Sequence, residues 1–146
     1  MRTKDLRQMV RDLGRNPKYY RYDFGAKNPW RLEGTHVYIL INNGKEAKVD
    51  WVDFIGKRLY SYRWTALSSD PSKDYPHTNI PDLYGKPTNL YLHILIMGSV
   101  SGLVVDHFDG NRYNASRSNL RHVTTKQNNQ NRHRPHYRRE YNSLWD

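Results

Sequence analysis

Asp106 and His107 stand side by side at the end of a short apolar run, Leu103-Val104-Val105. In an extended strand successive side chains face opposite ways, so the two can take different tasks. The Asp106 carboxylate offers a hard oxygen to a divalent cation, and Asn128, further along the chain, can offer a second. Two protein ligands leave the other coordination positions to water and substrate phosphate, as magnesium does at phosphoryl-transfer sites. The imidazole of His107, with an ordinary pKa of about 6.5, suits removal of a proton from water near neutral pH. Neighbouring Asp and His are also common as plain surface residues, so the surrounding spacings must carry the reading.

The elements that position this pair are short. Residues 103–105 form a β-type run, and a polar loop fills 108–117. Ser118-Asn119-Leu120 leads into a second strand over 120–123. Thr124-Thr125-Lys126-Gln127 is a capping box that starts a helix carrying Asn128 and Asn131. The order is strand, loop, strand, helix. Upstream, Thr88 is expected to cap a helix that runs to Met97, with Leu90, His93, Ile94 and Met97 on its apolar face and Gly98 ending it. His93 on such a face reads as a core histidine or as a supporting site residue. Arg112, Arg117, Arg121 and Arg132 flank the motif and suit phosphate contacts, although each alone also reads as a solvated side chain. His133 and His136 have no third ligand in sight and are not taken as a metal pair.

The rest of the chain reads as a supporting body with basic ends. Residues 1–14 have the spacing of an amphipathic helix, with Leu6, Met9, Val10 and Leu13 on one face. Aromatics interleave with Lys and Arg over 18–24, and Pro29-Trp30-Arg31 follows, a pattern of an arm wrapped on the body. Residues 36–42, the turn Asn43-Gly44 and residues 45–49 read as a hairpin. Asp50 is placed to cap a helix to about Arg58, with Asp53 at the capping-box position. Residues 61–67 and 75–79 read as strands around a polar loop over 68–74. The fold class is α+β: a small antiparallel sheet with short helices, followed by the β-β-α motif.

Composition narrows the partner. The chain has 146 residues, with 24 Lys+Arg against 14 Asp+Glu, for a net +10. That excess points to a polyanion, either nucleic acid or an anionic surface. Residues 1–31 carry +6, residues 32–120 are neutral, and residues 121–146 carry +4, so the excess sits on the two ends. Absence of cysteine excludes a disulfide scaffold and Cys-based zinc fingers. No run of 18 apolar residues is present, so no membrane partner is expected. The basic N-terminus lacks the apolar stretch of a signal peptide, and the expected compartment is the cytoplasm.

The block Val105-Asp106-His107-Phe108-Asp109-Gly110-Asn111, with Asn114, Ser118-Asn119-Leu120-Arg121, Thr124 and Gln127 to Asn131, resembles the HNH homing-type endonucleases of bacteriophages. Tyr91 to Gly98 looks like that family's helix ahead of the motif, and Ala47 to Asp50 and Arg63 to Ala66 resemble its N-terminal half. The resemblance covers residues 36–132 and implies a ββα-metal nuclease. It implies Asp106 as a metal ligand, His107 as general base and Asn119 as the amide that braces the loop and holds the histidine. Asn128 fills the last motif position, as in HNN variants, with Asn131 a weaker candidate one turn on. The family hydrolyses DNA phosphodiesters with one divalent ion per site, Mg2+ or Mn2+, so the implied partner is double-stranded DNA. If phage-encoded, the protein would work in the host cytoplasm, as a monomer or weak homodimer.

The organisation expected from this is a basic helix and arm over 1–31, an α+β half over 32–98, the nuclease motif over 99–132 and a basic tail over 133–146. The alternatives are a non-catalytic DNA-binding protein with a vestigial HNH site, and a basic protein that binds RNA or an anionic surface. An intact Asp106, His107, Asn119 and Asn128 set disfavours the first, and the motif spacings disfavour the second.

Overall fold

The computed structural model describes residues 21–66 and 74–133, with side chains described to residue 130. The expected helix over 1–14, the start of the basic-aromatic stretch, most of the 68–74 loop and the tail from 134 lie outside the described residues.

Alternating apolar residues build the first sheet. Strands β1 (Trp30–Glu33), β2 (His36–Leu40) and β3 (Glu46–Asp50) are antiparallel in the order β1-β2-β3. The register Val37↔Val49 and Ile39↔Ala47 buries these four side chains on one face. Arg31, Tyr38 and Lys48 share the other, with the Arg31 guanidinium 4.2 Å above the Tyr38 ring. Arg31 also pairs with Glu46, which accepts from Tyr22 as well. Burial and the bond to Glu46 push the Tyr22 phenol up to about 12. The arm expected around Trp30 thus supplies the edge strand β1.

The hairpin turn is longer than the Asn43-Gly44 pair suggests. Ile41 N donates to the Lys45 carbonyl and Gly44 N to the Ile41 carbonyl, enclosing a three-residue loop with Gly44 at φ +86°. That left-handed position is one glycine adopts freely. Asn43 is drawn off by tertiary bonds to the Ala66 carbonyl and the Tyr113 hydroxyl.

Helix α1 (Trp51–Gly56) begins after Asp50, but no side chain caps it. The Asp50 carboxylate accepts instead from Arg117 N and pairs with His36, while Asp53 is engaged by the Arg117 guanidinium. The strand expected over 61–67 is also absent: a 3-10 turn at Leu59–Ser61 leads to irregular chain as far as Ala66, bridged at Thr65 to His77. Trp64 explains this. Its backbone N–H and carbonyl are both taken by the buried Asn28 side chain, and its indole donates to the Leu59 carbonyl. A side chain therefore does the work of a neighbouring strand.

Strands β4 (His77–Pro81) and β5 (Pro87–Tyr91) form a second hairpin. Helix α2 (Leu92–Met97) therefore starts three residues later than the Thr88 cap predicts. Residues 87–91 pair with 81–77, which commits their backbone to a ladder. Gly98, at φ +73°, ends the helix as expected.

The motif then folds as read: β6 (Val104–His107), the loop, a 3-10 turn at Arg117–Asn119, β7 (Leu120–Val123) and α3 (Thr125–His133). One hydrophobic core joins Val37, Ile39, Val49 and Trp64 to Leu92 and Ile96 of α2 and to Tyr113, Ala115 and Leu120 of the motif. The motif loop also pairs with β3, because Lys48 N donates to the Tyr113 carbonyl and Ala115 N to the Lys48 carbonyl. No helix among the described residues is long and apolar enough to cross a membrane.

Candidate active site

The β6–β7 register settles which side chains share a face. Asp106 lies opposite Arg121, and His107 opposite Leu120 with Val105 and His122 on its side. The two residues therefore face opposite ways, and both are nearly buried, at 4% and 5% exposure. His107 packs into a cluster of rings. His93 is 4.8 Å away between ring centroids and Tyr75 is 5.9 Å away, with Tyr75 and His93 themselves at 5.2 Å. Tyr91 and His77 extend the cluster outward along the second hairpin. Burial pushes the His93 imidazole down to about 4, so it is neutral at physiological pH.

Asn119 sits beneath the loop that follows His107. Its amide donates to the Asp109 carboxylate and to the Asn114 carbonyl, each at 2.9 Å, and its side-chain oxygen accepts from Asp109 N. Its backbone carbonyl takes the N–H of Phe108, next to the histidine. Asp109 completes the net, accepting from Asn111 N and from the Asn114 amide. Asn114 in turn accepts from the Ser116 hydroxyl. A loop with little apolar content is thus fixed by amide and carboxylate bonds.

Helix α3 is started by the expected capping box. Thr124 N donates to the Gln127 side chain and Gln127 N to the Thr124 hydroxyl. The helix packs on β6, the strand that carries Asp106 and His107. Asn128 lines a cleft of about 390 Å3 beside the ring cluster, with Tyr75, Tyr91, His93 and His122 among its walls. His122 is bonded to the Gly98 carbonyl at the foot of α2. Asn131 and Arg132 lie in the last turn of α3, and their side chains fall outside the described residues.

The other arginines have distinct settings. Arg112 stacks 4.8 Å over Tyr75, and Arg121 4.1 Å over Phe108. Arg117 turns away from the ring cluster, donating to both oxygens of the buried Asp53 and to the Ile96 carbonyl. The bond to Asp53 raises its pKa further. Its place is a clamp between the motif, α1 and α2. Tyr75 and Asp109 were not singled out by type or spacing. Tyr75 meets His107 only through the fold, whereas the Asx-rich run 109–114 is a signal that the sequence does contain.

The donor set suits a hard cation. Asp106 and Asn128 carry side-chain oxygens on β6 and on the helix packed against it. Among the described residues no group of three or more His, Cys, Asp or Glu gathers into a metal cage. A carboxylate oxygen and an amide oxygen are the donor types a magnesium-like cation takes, rather than the nitrogen and sulfur ligands of zinc.

Residues 91–130 match the family model described as HNH endonuclease, a span that covers α2, β6, β7 and the first part of α3. That segment is similar to HNH endonucleases. The chain is also similar to the solved structure of DNA binding and cleavage by the HNH homing endonuclease I-HmuI. That similarity is 28% identity over 70% of this chain and 51% of that chain, with a TM-score of 0.36. The chain thus spans about half the length of I-HmuI. No relative among curated proteins matches.

Proposed function

We propose that this chain is a divalent-metal-dependent endonuclease that hydrolyses phosphodiester bonds in double-stranded DNA. The observation that carries the reading is the β6–loop–β7–α3 unit, which holds a buried Asp106-His107 pair over a braced loop within the segment that matches the HNH endonuclease family. His107 serves as the general base, taking a proton from the attacking water. Its ring is kept in one orientation by Tyr75 and His93. Because His93 is neutral, a protonated His107 meets no like charge there. Asn119 fixes the loop that follows the base.

Asp106 and Asn128 would hold one ion, Mg2+ or Mn2+. When bound, the ion supplies Lewis-acid charge to the phosphate. Arg112 and Arg121, with Arg132 in α3, serve as phosphate contacts, and the basic ends hold the duplex along the site. Arg117 acts from within the protein, through Asp53. A single site cuts one strand per visit, so the expected product is a nick from a monomer, or a double-strand break from a weak homodimer.

Purified protein should convert supercoiled plasmid to nicked or linear DNA in Mg2+, and EDTA should block this. His107→Ala should slow cleavage about 10²–10⁴-fold while duplex affinity holds. A His107→Ala protein with normal turnover removes the assigned base. Tight duplex binding with intact plasmid in both Mg2+ and Mn2+ leaves the vestigial-site reading in its place.

A further inference from the structure

The β4–β5 hairpin has no role in the chemistry above, yet its root is built into the site. Tyr91 and His77 at that root are in ring contact with each other, and Tyr91 touches both Tyr75 and His93 of the cluster around His107. Two backbone bonds between His77 and Thr65 and one from Leu92 N to the Pro76 carbonyl tie the root to the body. Beyond the root the hairpin stands free: residues 81–89 are all exposed.

The tip is apolar and rigid at once. Leu83 is 100% exposed and Tyr84 94% exposed. Asp82 fixes them there. Its carboxylate accepts from Tyr84 N and Lys86 N, both at 2.9 Å, and its own N–H donates to the Lys86 carbonyl. Gly85, at φ +78°, closes the turn with a bond to the Asp82 carbonyl. A floppy loop would let Leu83 and Tyr84 fold back on the strands; this one holds them in water, where they gain nothing in the free protein. The prolines Pro81 and Pro87 face each other just below the tip. Lacking N–H groups, they disfavour addition of a further strand from a protein partner.

We infer that this hairpin is a DNA-inserting arm, whose Leu83 and Tyr84 enter a groove of the duplex and unstack one base step beside the cleavage site. The inference rests on the endonuclease reading, which brings duplex DNA to the hairpin's root. Apolar side chains wedged between base steps are an established way for proteins to kink DNA, and a tyrosine ring can stack on the base so exposed. The five-residue strands carry the tip roughly 15–20 Å from the ring cluster, at about 3.4 Å per residue. At about 3.4 Å per base pair, the unstacked step lies roughly four to six pairs from the scissile phosphate. Exposed Asn79 and Asn89, paired across the strands, then lie along the groove between tip and site.

The test uses the full-length protein, duplexes carrying 2-aminopurine at successive positions on either side of the mapped nick, and the double variant Leu83→Ala/Tyr84→Ala. Both side chains are solvent-exposed, so the variant should keep the wild-type unfolding temperature. In EDTA, wild-type binding should raise 2-aminopurine fluorescence at one step, four to six pairs from the nick. The double variant should lose that rise and bind about tenfold more weakly or worse, in line with lost stacking. Its salt dependence should be unchanged, since no phosphate contact is removed. Equal affinity in variant and wild type, or no fluorescence change at any position, overturns the inference and points the tip at a protein partner instead. Plasmid nicking measured in parallel separates the two levels. A wild type that nicks while the variant binds as well as it does removes the arm alone; a wild type that neither binds nor nicks removes the endonuclease reading, and the arm falls with it.

Discussion

The sheet body and the motif loop achieve rigidity by different means. In the body, Val37, Ile39, Val49, Phe54 and Trp64 are almost wholly buried, and the backbone follows from where these side chains go. In the loop over 108–117, the buried apolar side chains are few, and Asp109, Asn111, Asn114 and Asn119 hold the chain through a closed set of hydrogen bonds. Apolar burial is non-directional and tolerates small shifts, whereas hydrogen bonds set a geometry. The segment next to the Asp106-His107 pair is thus built from the interaction that fixes position, and the body from the one that supplies bulk stability. The two meet in Tyr113 and Ala115, which belong to the loop by sequence and to the core by burial.

Removing the body's anchor should have the largest effect on stability. Trp64→Ala deletes a side chain that is 1% exposed and is expected to cost about 3–5 kcal/mol, read as a lower denaturant midpoint for the whole molecule. Next comes the ring cluster around His107, where His93 is buried neutral. Its pKa falls from 6.5 in the unfolded chain to about 4 in the fold, so the unfolded state binds more protons between those values. The contribution is complete above pH 6.5 and lost as the pH falls to about 4, up to about 3 kcal/mol in all. His93→Gln should flatten that part of the pH–stability profile; an unaltered profile would show that another group causes the acid loss.

Asn119→Ala should cost about 2 kcal/mol, since it strands the N–H of Asp109 and the Asn114 carbonyl. Unlike Trp64→Ala, it should raise amide exchange mainly over 108–117 and lower cleavage more than DNA affinity. Global exchange in both variants would erase the distinction between the regions. The smallest effects belong to the two turn glycines. Gly44→Ala and Gly110→Ala each force a left-handed residue, at φ +86° and +75°, and each should lose about 1–2 kcal/mol. Gly44→Ala should leave nicking rates intact, while Gly110→Ala, whose N–H bonds to the His107 carbonyl, should slow them.

The motif was legible because its determinants are close in sequence. The capping box at Thr124 and Gln127, the β-run before Asp106 and the stop at Gly98 each involve partners a few residues apart, and each formed. The failures share the opposite character. Asp50 and Asp53 look like helix caps, but Arg117, whose guanidinium comes from 64 residues further on, claims Asp53, and its backbone N–H claims Asp50. Thr88 looks like a cap until β4 pairs with its strand. Trp64 sits in a β-like stretch whose hydrogen bonds go to Asn28, 36 residues earlier. In each case a local preference worth about 1 kcal/mol or less yields to a tertiary or cross-strand partner.

By itself, then, the sequence determined the strand–loop–strand–helix unit, the opposite facing of Asp106 and His107 and the basic character of the ends. These rest on period, spacing and charge, which are local or additive. Only the tertiary structure decided that Tyr75 and His93 wall in His107, that Arg117 belongs to the scaffold, and that a rigid hairpin carries Leu83 and Tyr84 out from the site. The physical reason is that burial and partner choice depend on which distant segments meet, and no residue carries that information alone.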